Sequence, residues 1–102
     1  MIKKNKRIPK LLSLAKDQAC VMCGNQDGTV VSAHSNLLNH GRGHAHKAHD
    51  GMIAWLCYSC HYDYDHWGRM DKKEARDFIL EAICKTYMEL WNLDLIQVKE
   101  KK

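Results

Sequence analysis

Two Cys-x-x-Cys pairs, Cys20-Val-Met-Cys23 and Cys57-Tyr-Ser-Cys60, divide a chain of 102 residues. Four thiolates at this spacing fill the tetrahedral shell of Zn²⁺, and two such pairs in one short chain read as a structural zinc site. A redox dithiol would need only one pair, while an iron centre could use the same four-sulfur shell. Either metal requires the two pairs to meet in space, and no other feature restricts the fold as much. The 33 residues between them, 24–56, exceed the ~15–20 of a plain zinc ribbon. The clasp therefore closes around an inserted unit. The length suits one domain and is too short for two, and a core of this size gains from an internal metal.

No run of the sequence is long and apolar enough to cross a bilayer. Residues 1–10 are basic but have neither the apolar segment nor the small-residue cleavage site of a secretory leader. The expectation is a cytoplasmic protein without a membrane partner, in which paired cysteines are metal ligands before they are disulfides. Cys84 has no partner at ligand spacing and falls in a helical pattern, which predicts a buried core thiol.

Local signals outline an α+β chain. Pro9 opens a short helix through residues 10–18, with Leu11, Leu12, Leu14 and Ala15 as apolar contacts. Asn-Gln-Asp-Gly at 25–28 is a turn, and the β-branched residues 29–34 form a strand ending at His34. A polar loop with Gly41, Gly43 and Gly51 covers 35–51; loops this long in compact domains carry function or are disordered. Residues 52–57 give a second strand and 58–66 a short helix. Asp71 with Glu74 three positions on makes a capping box for a longer helix, 71–92. Its stripe of Ala75, Phe78, Ile79, Ala82, Ile83, Tyr87, Leu90 and Trp91 is expected to face the core.

The short helix carries more ligands than one zinc can use. With four sulfurs bound, His61 is surplus. It is turned by ~100° from Cys60, and Asp65 at i+4 returns to the His61 face. Such a pair is a partial site for Mg²⁺, Mn²⁺ or Ni²⁺; alternatively, Asp65 only orients a surface histidine. Asp63 and His66 fall off that face.

The formal charge is +4, distributed unevenly. Lys3, Lys4, Lys6, Arg7 and Lys10 put five positive charges and no negative one into residues 1–10, whereas residues 71–102 carry seven of each sign. A basic arm beside a centre holding all seven histidines suits a polyanion. The arm would add salt-dependent affinity without chemistry, although charge alone fits a solubility tail equally well.

Taken together, CVMCG at 20–24, SAH at 32–34, GRGHAHKAHD at 41–50 and LCYSCHYDYD at 56–65 resemble the HNH, or ββα-metal, endonuclease superfamily. The closer resemblance is to small nucleases of lambdoid phages and prophages, through Ala33-His34, Lys47-x-x-Asp50 and the run from Cys57 to Asp65. The match covers residues 18–70. It implies a single domain with a zinc-clasped ββα-metal core at 18–70, flanked by the N-terminal helix and the longer C-terminal one. It also implies a metal-dependent endonuclease acting on nucleic acid, DNA foremost, in the cytoplasm of a host cell if phage-encoded. The implied catalytic set is His34, Asp50, His61 and Asp65. His34 matches the general base, while His61 and Asp65 match ligands of a catalytic divalent metal, Mg²⁺ or another such as Mn²⁺ or Ni²⁺. Asp50 would orient His34 or approach the metal, and Arg42, Lys47, Lys3, Lys4, Lys6 and Arg7 would contact nucleic acid. The chain departs from the family at Ala33, where many members have an acidic or histidine ligand before the base. The roles of His40, His44, His46, His49 and His66 stay open, as does a dimer. The alternatives are a non-catalytic zinc module binding DNA or a protein partner, and a metal-handling protein built on the histidine-rich loop.

Overall fold

The computed structural model describes residues 5–43, 47–66 and 69–100. Two strands, Val31–His34 (β1) and Ile53–Leu56 (β2), pair antiparallel with Val31 opposite Leu56 and His34 opposite Ile53. Helix Pro9–Ser13 (α1) precedes them; Tyr58–Asp65 (α2) and Lys72–Asn92 (α3) follow. The fold is a small α+β arrangement with α1 against β1 and with α2 and α3 against β2. All four residues of β2 are buried. Trp55 and Leu56 join Ala33, Ile79, Ala82 and Leu90 in one apolar cluster. Among the described residues no helix is long and apolar enough to cross a membrane.

Both strand expectations hold in position, with β1 ending at His34. Inside the loop a 3-10 turn, Leu38–His40, stops at Gly41, whose φ of 93° is left-handed and so suits glycine. A Cβ at Gly41 would also collide with the Asn5 side chain, so this glycine lets the N-terminal segment approach the loop. The capping box of α3 is complete: Glu74 N–H donates to Asp71 Oδ1 at 2.8 Å, and Asp71 N–H donates back to Glu74 Oε1 at 3.2 Å.

Three expectations need correction. α1 stops at Ser13 rather than running to residue 18, and the turns that follow end at Asp17 with a left-handed φ of 66°. Cys84 is exposed, and Trp91 is 48% exposed. The residues α3 buries are Ile79, Ala82, Thr86 and Leu90. At about 100° per residue this stripe leaves Cys84 and Trp91 on the far side of the helix.

Thr86 is the buried residue that a search for apolar periodicity passes over. Its hydroxyl accepts the Trp55 N–H at 2.9 Å and donates to Ala82 O at 2.8 Å. The Trp55 carbonyl accepts from Val21 N–H at 3.0 Å. Neither backbone group of Trp55 is used by β1, so Thr86 and Val21 satisfy what would otherwise be a bare strand edge. Replacing Thr86 with Val keeps the shape but orphans a buried N–H. It should cost about 1–3 kcal/mol in urea unfolding, with Thr86→Ser losing much less. Equal stability of Thr86→Val and wild type would contradict this role.

Candidate metal centre and adjoining cleft

The first Cys pair is shaped by its own backbone. Cys20 N–H donates to Asn25 O at 2.8 Å, and Gly24 N–H donates to Cys20 O at 2.9 Å. The Val21–Trp55 bond ties this pair to β2, and β2 runs directly into Cys57, the N-cap of α2. One turn of α2 then brings Cys60 alongside. The four Sγ atoms lie within 4.8 Å of one another, and Cys23 Sγ is 3.6 Å from Cys57 Sγ. A tetrahedral ion with Zn–S bonds of ~2.3 Å would place its sulfurs ~3.8 Å apart. All four cysteines are free of disulfides. The cluster could hold a metal ion such as zinc.

Its electrostatics point the same way. Burial opposes ionisation of Cys20, yet backbone hydrogen bonds from Cys57, Cys23 and Met22 bring its thiol down to about 7. Burial pushes the Cys60 thiol far up, and the neighbouring Cys23 and Cys20 sulfurs push it further. Crowded thiols cannot all ionise without a cation among them.

The other side of α2 carries His61 and Asp65, with His61 Nε2 and Asp65 Oδ2 2.7 Å apart and both half-exposed. Two ligands in adjacent positions around an ion at ~2.1 Å sit ~3 Å apart, so a small outward shift would let an ion replace the shared proton. Among the described residues, however, the cysteines form the only metal-sized group of three or more ligands. His61 and Asp65 supply two. Asn36 Nδ2 donates to Asp65 Oδ1 at 3.3 Å, and Tyr64 beneath accepts the Asn36 N–H at 2.8 Å.

Asn36, His61 and Asp65 line a cleft of about 500 Å³ together with His34, Arg42 and Lys47. His34 Nε2 lies 2.7 Å from Asp50 Oδ1. Asp50 thus stands beside His34. Asp50 is 1% exposed, and its Oδ2 accepts Ile8 N–H at 2.6 Å while Arg7 Nη1 donates to Oδ1 at 2.8 Å. Burial works against charge here, but His34, the Ile8 N–H and the Arg7 guanidinium hold the carboxyl below its usual range. Ala33 is buried in the core and adds no ligand.

The histidines left open by sequence are engaged locally where they are described. His40 Nδ1 pairs with Ser35 Oγ at 2.7 Å, and burial, aided by the Arg76 charge, lowers its pKa. His49 Nδ1 accepts Gly51 N–H at 2.9 Å. His66 Nδ1 is 2.9 Å from Tyr62 O, and its ring stacks on Tyr62 at 3.5 Å. Lys3, Lys4, His44 and His46 lie outside the described residues.

Arg7 changes role. Residues 5–8 are not a free basic arm, because they lie along the loop and pair with its exposed carbonyls and with Asp50. Loop carbonyls without strand partners need donors, and a buried carboxylate needs a cation. A count of positive charges carries neither signal. Lys6 remains exposed.

Compared with models of protein families, with curated proteins and with solved structures, the chain matches none. Its functional reading therefore rests on the residues of the site.

If the cysteines close the fold around zinc, purified protein should contain one zinc per chain, and chelation should abolish cooperative unfolding, since binding energy at such sites is folding energy. Cys60→Ser should lose the metal. A metal-free protein that unfolds at the same urea concentration as the loaded form would contradict this.

Proposed function

We propose that the protein is a metal-dependent endonuclease of the HNH type, hydrolysing phosphodiester bonds in nucleic acid, with DNA as its first substrate. The observation that carries this reading is the meeting of two His–Asp pairs, His34–Asp50 and His61–Asp65, where the second pair lines one cleft with His34, Arg42 and Lys47. In this reading zinc on Cys20, Cys23, Cys57 and Cys60 is structural. The two pairs have different tasks. With Nε2 directed to Asp50, His34 keeps Nδ1 as the nitrogen that can take a proton from water. Asp50 orients the ring and favours the imidazolium that results, as the carboxylate does in a Ser-His-Asp triad. Arg42 and Lys47 bring the phosphate to this base by charge. His61 and Asp65 would hold a divalent ion, Mg²⁺, Mn²⁺ or Ni²⁺, which when bound supplies Lewis acidity at the phosphate and the departing oxygen.

One observation favours a second reading. Because Ala33 offers no donor, the described residues of the cleft give an ion only the two ligands on α2, which suits a non-catalytic zinc module that binds DNA or a protein. A plasmid-nicking assay with added Mg²⁺, Mn²⁺ or Ni²⁺ separates the two. His34→Ala should lower turnover by ~10²–10⁴-fold, as for a lost general base, while nucleic-acid binding persists. Asp65→Ala should in addition raise the metal concentration needed, and His66→Ala should matter less than either. Full cleavage by His34→Ala sinks the assignment of the base. A wild type inert on duplex, branched and single-stranded substrates with all three metals supports the binding module instead.

A further inference from the structure

The N-terminal segment makes its densest polar contacts with the loop that carries Asp50. Asn5 Nδ2 donates to Gly41 O at 2.7 Å and to Lys47 O at 3.1 Å, spanning the loop from one side to the other. Asp50 N–H donates to Lys6 O at 3.0 Å. Arg7 uses both arms of its guanidinium, Nη1 to Asp50 Oδ1 at 2.8 Å and Nη2 to Lys47 O at 3.1 Å. Ile8 N–H holds the second oxygen of the same carboxylate at 2.6 Å.

Asp50 is therefore fixed at both oxygens by residues 5–8, and its Oδ1 is shared between Arg7 and His34 Nε2. A carboxylate so buried is kept ionised and oriented only while its charge partner and donors stay in place. An ionised carboxylate only accepts hydrogen bonds, so it takes one from His34 Nε2–H, and in the neutral ring Nδ1 is then the acceptor. The fork matters too. A guanidinium can hold the carboxylate and a backbone carbonyl at once, whereas an ammonium is a point charge without that fixed geometry. Lys47, whose carbonyl takes the second arm, also lines the cleft.

We propose that Arg7 is a positioning residue of this cleft: acting through Asp50, it determines which ring nitrogen of His34 carries the proton and so keeps Nδ1 as the base. Arg7 and Ile8, which hold the two oxygens of Asp50, then belong to the working site. This rests on the nuclease reading for its kinetic consequence, while the tautomer of His34 can be read without any cleavage. Gluing the loop in place is a different role, and Asn5 performs that one without touching Asp50.

The test uses the full-length, zinc-loaded protein. In the ¹⁵N spectrum of the His34 ring, wild type should show the proton on Nε2, Arg7→Gln should mix the two tautomers, and Arg7→Lys should lie between. Asn5→Ala should leave the tautomer as in wild type, and so should Lys16→Gln, which removes one exposed charge of the same sign. Zinc content and the urea midpoint confirm that each variant is folded. In the nicking assay Arg7→Gln should lower kcat by ~10–100-fold, a loss that stays at or below that for removing the base itself. KM should move by no more than about twofold, the pattern of an interaction made in the transition state. An unchanged tautomer in Arg7→Gln overturns the proposal, as does an equal loss in Asn5→Ala or a change confined to KM. Should wild type cut nothing, the nuclease reading fails by itself, and the ring spectrum alone then decides what Arg7 does.

Discussion

Four sulfur atoms within 4.8 Å of one another bring together two distant parts of the chain that a metal ion could join. One pair precedes β1, and the other sits where β2 becomes α2. Two strands of four residues each are too little to be stable in water without support. The cluster closes one end of this hairpin, and α3 covers β2 with Ile79, Ala82, Thr86 and Leu90. Sulfur and apolar burial thus act on the same strand from two directions, and the 33 residues between the pairs are held at both ends.

The cluster also decides what α2 can present. Cys60 and His61 are neighbours in sequence but differ by about 100° around the helix, so a side chain held in the sulfur cluster turns the next one away from it. Asp65, one turn later, meets His61 at 2.7 Å. The same turn that completes the sulfur cluster thereby aims a His–Asp pair into the cleft. Across that cleft His34 is held by Asp50, and Asp50 by Arg7 and Ile8. Each charged group in this chain of contacts has its partner, which is what allows Asp50 to remain ionised while 1% exposed.

What sequence reveals and what it hides divide along a physical line. The Cys pairs, the capping box of Asp71 and Glu74, the strand ending in His34 and the i,i+4 pair on α2 all involve residues within a few positions of each other. Their chemistry is local, and spacing reports it. The contact between Arg7 and Asp50 spans 43 positions, and nothing in the spacing of either residue announces it. Counting charges placed Arg7 in a basic arm, either for a polyanion or for solubility, for that reason. Thr86 escaped because its burial follows from a strand edge that needs a donor and an acceptor, not from apolarity. Cys84 and Trp91 were drawn inward by an apolar stripe taken too broadly, when their angles around α3 leave them outside. The proposed nuclease reading likewise rests on local motifs, and the cleft beside them is where it meets its test.

The central claim is that α2 serves two separate sites, with sulfur alone on the structural metal. X-ray absorption at the zinc edge of the purified protein tests it most directly. The account requires four sulfur neighbours at ~2.3 Å and no nitrogen or oxygen in the first shell. A shell of three sulfurs with one histidine nitrogen at ~2.0–2.1 Å, lost on replacing His61 with Ala, would place His61 on the zinc and remove the second site altogether.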